Sequence, residues 1–212
     1  MHRRMEILIV FLAIFSFVGL YTFAMNKPSP EKKTSETATF AGGCFWCMQQ
    51  VMDQIEGVIS TKVGYAGGQK ENPTYQEVSS GTTGHTESIE VHFDPELISY
   101  RKLLSVFWRN IDPTVKDQQF CDIGSQYRSA IFYHNPEQQK LAEESKQELI
   151  NSKKFDFIYT EITEAPHFYD AEKYHQNYYK KNPVRYKLYK YLCGREKRLK
   201  ELWGEKEKKG KS

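Results

Sequence analysis

Charge of one sign is nearly absent as a signal. The 212 residues carry 30 Lys and Arg against 27 Asp and Glu, a net charge of +3 with the signs interspersed. Such a balance excludes the basic footprint of a nucleic-acid-binding protein. The Lys/Arg-rich stretch from Arg195 to Lys211 reads as a solvated helix face and a frayed tail. No internal repeat is present, which leaves one domain of ordinary size, able to bury a core without disulfide staples. Cysteine is scarce: Cys44, Cys47, Cys121 and Cys193 are all there is. The Cys-x-x-Cys spacing has no second pair, and the histidines and carboxylates between His167 and Tyr179 keep no ligand spacing, so no metal is expected. That segment reads as aromatic packing over a sheet.

Long hydrophobic runs are lacking too, with one exception. His2, Arg3 and Arg4 precede an almost unbroken apolar run from Ile7 to Ala24. Positive residues before such a run hold that end in the cytoplasm and send the rest across the membrane. The expectation is an exported protein, with residues 1–25 a signal peptide or membrane anchor and the Pro- and Lys-containing residues 26–36 a disordered linker. Residues 37–204 form the folded domain and 205–212 a charged tail. The product is periplasmic, soluble after cleavage near Thr22-Phe23-Ala24 or tethered to the inner membrane by residues 7–24, its only membrane contact.

What is present is concentrated in Gly43-Cys44-Phe45-Trp46-Cys47. A short strand over 37–41 precedes it and a helix over 44–55 follows. Cys44 therefore sits at a strand-to-helix turn, where unpaired N–H groups and the helix dipole favour thiolate, the reactive species. The adjoining aromatic pair, Phe45 and Trp46, can line a small apolar pocket.

Further along, Val58 to Tyr65 and Glu87 to Phe93 alternate as strands, and 128–133 reads as another. Tyr100 to Ile111 carries apolar residues at helical spacing, and Asn135-Pro136 caps a helix over 137–151. Between 66 and 84 lies a Gly-rich loop with a helical turn near Thr74–Ser79. A strand near 159–163 precedes the aromatic-rich end. The order β-α-β-β-α-β predicts an α+β fold, a ferredoxin-like split βαβ sandwich with extra C-terminal helices and aromatic-rich coil.

A cysteine nucleophile needs a proton manager and groups that hold the substrate. Alternation puts Glu87 on the apolar face with Ile89 and Val91, where burial raises a carboxyl pKa and makes it a general acid; the competing reading is a rim glutamate in water. Asp122 and Tyr127, in the polar loop before the strand at 128–133, and Tyr75, in the Gly-rich loop, are weaker pointers into a site.

These stretches together resemble the peptide methionine sulfoxide reductase A family. The motifs are Gly-Gly-Cys-Phe-Trp (42–46), Gly-Tyr-Ala-Gly-Gly (64–68), Pro-Thr-Tyr (73–75), Gly-Thr-Thr-Gly-His-Thr-Glu (81–87) and Asp-Ile-Gly-Ser-Gln-Tyr-Arg-Ser (122–129), inside a match over 37–204. The resemblance implies reduction of the S-epimer of methionine sulfoxide in proteins and free amino acid. It implies Cys44 as nucleophile, Phe45 and Trp46 cradling the substrate methyl, and Glu87 as proton donor. Tyr75 and Tyr127 bind the oxygen and Asp122 supports the site. Cys44 becomes a sulfenic acid, a second thiol forms a disulfide with it, and an external dithiol resets the enzyme. No cofactor is implied beyond thioredoxin or a thioredoxin-like donor; the partners are oxidised proteins and that donor, and the enzyme is a monomer.

Position 47 is cysteine where the family often has glycine, and Phe120-Cys121 stands where Gly-Asn is frequent. Cys47, Cys193 and Cys121 therefore compete, in that order, as the resolving thiol; bridging Cys44 to Cys47 would need helix distortion. The alternative function is a thioredoxin-like disulfide exchanger using Cys44 and Cys47, although no cis-proline signature accompanies them. A non-catalytic domain with structural disulfides is the third.

Overall fold

The computed structural model describes residues 35–204. The expected leader at 1–25, most of the linker and the tail from 205 lie outside the described residues. No helix among the described residues is long and apolar enough to cross a membrane.

The elements run β1 (Glu36–Gly42), α1 (Phe45–Met52), β2 (Val58–Ala66), α2 (Tyr75–Ser79), β3 (Thr86–Phe93) and α3 (Tyr100–Trp108). After them come β4 (Gln118–Gln119), β5 (Asp122–Ile123), β6 (Ser129–Tyr133), α4 (Pro136–Asn151), β7 (Glu161–Glu164) and β8 (Tyr169–Asp170). Three helices close the described chain: α5 (Tyr178–Lys181), α6 (Pro183–Leu192) and α7 (Arg195–Trp203).

Six strands form one mixed sheet in the order β7-β6-β1-β3-β2-β8. Its pairings are antiparallel except that β6 and β7 run parallel. The period-two pattern of β1 and β3 sends Ala38, Phe40, Ile89, Val91 and Phe93 to one face, where they meet Met48 and Met52 of α1 and Leu103, Leu104 and Phe107 of α3. Phe40 stacks on Phe107 at 5.1 Å between ring centres. Burying each of these side chains other than Ala38 contributes about 1.5–3 kcal/mol. Ala41, Ala66 and Phe132 face the other way and are covered by Phe168.

The helices start where their caps dictate. The side chain of Ser99 accepts from Lys102 N–H ahead of α3, and Asn135 accepts from Gln138 N–H ahead of Pro136. Thr74 and Glu77 form a capping box that stabilises α2, the helical turn expected inside the Gly-rich loop.

The expected order of elements is present, with corrections at the edges. Helix α1 covers 45–52 rather than 44–55, because Cys44 has φ −46° and ψ 114°, outside the helical region, and the chain turns through Gly57 at φ 91°. The late strand lies at 161–164, aligned by its parallel ladder to β6. The sheet already begins at Glu36, the last residue of the segment read as linker. The hairpin of β4 and β5 and the edge strand β8 were not expected. Strand β8 reaches β2 because Gly64 has no side chain: a Cβ there would lie 2.3 Å from the Tyr169 carbonyl oxygen.

Candidate active site

Strand β1 delivers the chain to Gly42, and Gly43, at φ 75°, turns it into α1. A side chain at Gly43 would collide with Gln119, which is itself fixed by hydrogen bonds to the backbone of Asp112. Cys44 is consequently the N-cap of α1, and Cys47 lies one turn on, its N–H bonded to the Cys44 carbonyl at 3.0 Å. Both thiols are free and buried, at 5% and 3% exposure. Cys44 lies outside the helix proper and Cys47 in its first turn.

The two thiols are electrostatically coupled and behave unequally. Burial, Cys47, Glu87 and Asp122 all push the Cys44 thiol well up. Cys47 is drawn down to about 6, first by the hydrogen bond from Cys44 and then, against its burial, by Arg195, the Tyr186 hydroxyl and Lys190. Within this coupled pair burial and the neighbouring acids work against a Cys44 thiolate, opposite to the pull expected of the helix terminus, while the nearby cations favour charge on Cys47.

Glu87 enters on β3 with its side chain on the helix face, as alternation predicted. It is 4% exposed, and one carboxyl oxygen accepts the Phe45 N–H at 3.0 Å. Burial pushes its pKa to about 8, reinforced by Asp122 and Cys47 and opposed by the Phe45 N–H. At neutral pH the carboxyl is mostly protonated and holds a proton to give. Asp122, also raised by burial, accepts from the Tyr189 hydroxyl at 2.6 Å. Burial raises Tyr75 to about 12 and Tyr127 further still, so both keep their phenolic protons.

A cavity of about 70 Å³ brings together Cys44, Phe45, Trp46, Tyr75, Glu87, Asp122 and Tyr127, every one of them expected from the sequence. Its remaining wall is Tyr189 of α6, which sequence reasoning missed. So was the support behind the aromatic wall. Trp46 stacks on Tyr178 at 3.9 Å and donates its indole N–H to His175 Nδ1 at 3.1 Å. That bond places the His175 ring proton on Nε2, and burial holds the ring neutral. Glu172 accepts from the Tyr75 N–H and the Tyr65 hydroxyl, both at 2.8 Å. Aromatic packing against the sheet, expected for this segment, is what brings His175 and Tyr178 here.

The other resolving-cysteine candidates are elsewhere. Cys121 and Cys193 are bonded to each other, with 4.9 Å between Cα atoms, and neither lines the cavity. Cys121 is exposed and precedes Asp122; Cys193 joins α6 to α7.

A buried cysteine with a second thiol beside it, a protonated carboxyl and phenolic donors around a small cavity with an aromatic wall define a thiol-dependent oxidoreductase acting on a small neutral group. The model of the peptide methionine sulfoxide reductase family matches residues 36–207. The peptide methionine sulfoxide reductase MsrA of Bacillus licheniformis is 54% identical over 172 residues, 81% of this chain and 95% of that protein. MsrA of Bacillus subtilis strain 168 is 53% identical over 177 residues, covering 83% and 99%. Among solved structures, reduced Mxr1 of Saccharomyces cerevisiae aligns with a TM-score of 0.68 and 32% identity over 74% of this chain and 91% of that one. Methionine sulfoxide reductase A of Corynebacterium diphtheriae gives 0.65 and 35% over 72% and 77%.

The chain belongs to the peptide methionine sulfoxide reductase family. It is an oxidoreductase that reduces methionine sulfoxide, and the disulfide-exchange alternative gives way to that activity.

Proposed function

We propose that the enzyme takes the S-epimer of methionine sulfoxide, in oxidised proteins and as free amino acid, with Cys44 as nucleophile and Glu87 as general acid. One observation carries this reading: the Glu87 carboxyl, kept protonated by burial, shares a 70 Å³ cavity with the Cys44 sulfur. A neutral sulfoxide resists attack until its oxygen gains a proton, so a buried acid facing a thiol is what the step needs. Phe45 and Trp46 hold the methyl group, Tyr75 and Tyr127 donate to the oxygen, and Asp122 orders Tyr189. As Cys44 bonds to the substrate sulfur its own proton passes to Cys47, and the Glu87 proton goes to the sulfoxide oxygen. That oxygen leaves the substrate sulfur as hydroxide and bonds to the Cys44 sulfur; the bond between the two sulfurs breaks with its electron pair going to the substrate, so that Cys44 is left as sulfenic acid and methionine is released.

Cys47 is the resolving thiol in this reading, supported by its place one turn from Cys44, where its N–H bonds to the Cys44 carbonyl, and by the mutual pairing of Cys121 and Cys193. It attacks the sulfenic sulfur, water departs, and the Cys44–Cys47 disulfide awaits two electrons. A thioredoxin-like dithiol protein is a donor of the right chemistry; yeast Mxr1, 25% identical with a TM-score of 0.50, has been crystallised in complex with Trx2. We also assign the core to the ferredoxin-like split βαβ class, supported by the strand order β6-β1-β3-β2 within the sheet. The arginines and apolar run at the N-terminus support export to the periplasm; recovery of the protein from cytosol overturns it.

The test is reduction of a racemic methionine sulfoxide peptide with dithiothreitol, beside Cys44→Ser. Consumption of half the racemate, leaving the R-epimer, with an inactive variant is expected. Turnover by Cys44→Ser, or consumption of both epimers, overturns the assignment.

A further inference from the structure

The two cysteines of the pair line different spaces. Cys44 lines the substrate cavity, whereas Cys47 lines a second and larger one, of about 440 Å³, formed by α1, the end of α3, and helices α6 and α7. Its size is that of a small-molecule site.

The chemistry of its walls is one-sided. Among the described residues, Arg109, Lys190 and Arg195 line it, with Lys200 at its edge, beside one carboxylate, Glu196, which is paired with Lys190 at 3.0 Å. Arg195 is 3% exposed. Its guanidinium donates to the carbonyl oxygens of Gly42 and Asn110 and lies 4.3 Å from the Phe120 ring centre. A buried cation held by carbonyls rather than by a carboxylate leaves a fixed positive charge beside Cys47. Val51, Leu199 and Trp203 supply apolar wall.

We propose that this cavity is the reductant port: a binding site for an anionic low-molecular-weight thiol that reaches the pair through Cys47 while the substrate reaches it through Cys44. The inference rests on the reading of Cys47 as resolving thiol. The thiolate of the ligand attacks the Cys47 sulfur, the bond to Cys44 breaks, and Cys44 leaves with the electron pair and takes a proton. A mixed disulfide between ligand and Cys47 remains. A second ligand thiolate attacks the ligand sulfur of that bond, releases Cys47 as thiolate, and departs as the ligand's own disulfide. Two ligand thiols lose two electrons and the Cys44–Cys47 bond gains them. The cationic walls concentrate an anion, and the apolar wall takes its carbon skeleton.

The experiment uses three small thiols as sole reductant: mercaptosuccinate (dianionic), 2-mercaptoethanol (neutral) and cysteamine (cationic). Each rate is divided by that thiol's rate on an uncharged model disulfide, which removes intrinsic reactivity. The expected order is mercaptosuccinate over 2-mercaptoethanol over cysteamine, the extremes differing by about tenfold or more at low salt and converging at high salt. The rim variant R109E/K200E, outside the catalytic residues, should reverse the order while dithiothreitol-driven turnover holds. A normalised rate independent of charge, or an order unchanged in the variant, overturns the port. Pre-reduced enzyme without any thiol should release one methionine per active site; if it does and the charge series is flat, the port alone fails. If it releases none, the reading of the pair fails and the port with it.

Discussion

At the scale of single residues the site is a set of protons held where solvent would not leave them. Glu87 must be protonated to act, and its pKa stands near 8, so activity should fall as pH rises through about 8. The attacking sulfur needs a thiolate partner to take its proton, and the pair loses its first proton near 6, assigned to Cys47. The pH profile of kcat/KM should therefore be a bell, rising through about 6 and falling through about 8. Glu87→Gln keeps the shape of the side chain but has no acidic proton. It should lose the descending limb and about 10²–10⁴-fold in rate, as read from stopped-flow release of methionine. Cys47→Ser should still release a first methionine, more slowly, and then stall as sulfenic acid; trapping with dimedone checks it. Normal turnover of that variant with thioredoxin would mean that another thiol resolves.

At the scale of elements, the close approach of β8 to β2 depends on Gly64. Gly64→Ala would place a methyl group 2.3 Å from the Tyr169 carbonyl and should push β8 off the sheet edge. The cost is about 1–3 kcal/mol of stability, and denaturant titration measures it. Hydrogen exchange should quicken at Ala171, whose N–H bonds to the Val63 carbonyl. The contrast between β8 and β3 explains what the sequence made legible. Strand β3 announces itself by the alternation from Glu87 to Phe93, and the parity of Ile89, Val91 and Phe93 places Glu87 on the buried face. Strand β8 is two residues long and exists because a distant glycine admits it. The same distinction separates the site residues. Those from Cys44 to Tyr127 lie in local motifs with strong turn and strand signals. Tyr189 is one of fourteen tyrosines, and its partner Asp122 is 67 positions away. No local pattern encodes that meeting. The cysteines show both limits: Cys44 and Cys47 are coupled by one helical turn, whereas the pairing of Cys121 with Cys193 closes a separation of 72 residues.

At the scale of the whole molecule, that disulfide ties the C-terminal helices to the loop carrying Asp122. Closing 72 residues of chain restricts the unfolded state and contributes about 4 kcal/mol in the loop-entropy account. C121S/C193S should lower the denaturation midpoint accordingly. With Cys47 resolving, the double variant should retain dithiothreitol-driven turnover at temperatures where it stays folded. Loss of that turnover without loss of fold would move the resolving role to this pair.

The order of residues in the site has a consequence for biosynthesis. Seven of the eight cavity walls are in place by Tyr127, but Tyr189, the stacking partner Tyr178, the indole acceptor His175 and the buried cation Arg195 are translated much later. A nascent chain therefore carries its nucleophile long before it carries the roof that dries it. Catalytic competence arrives with the last stretch of translation. Any product that ends before Tyr178 carries Cys44 without the Tyr178 ring stacked on Trp46 and without the Tyr189 wall.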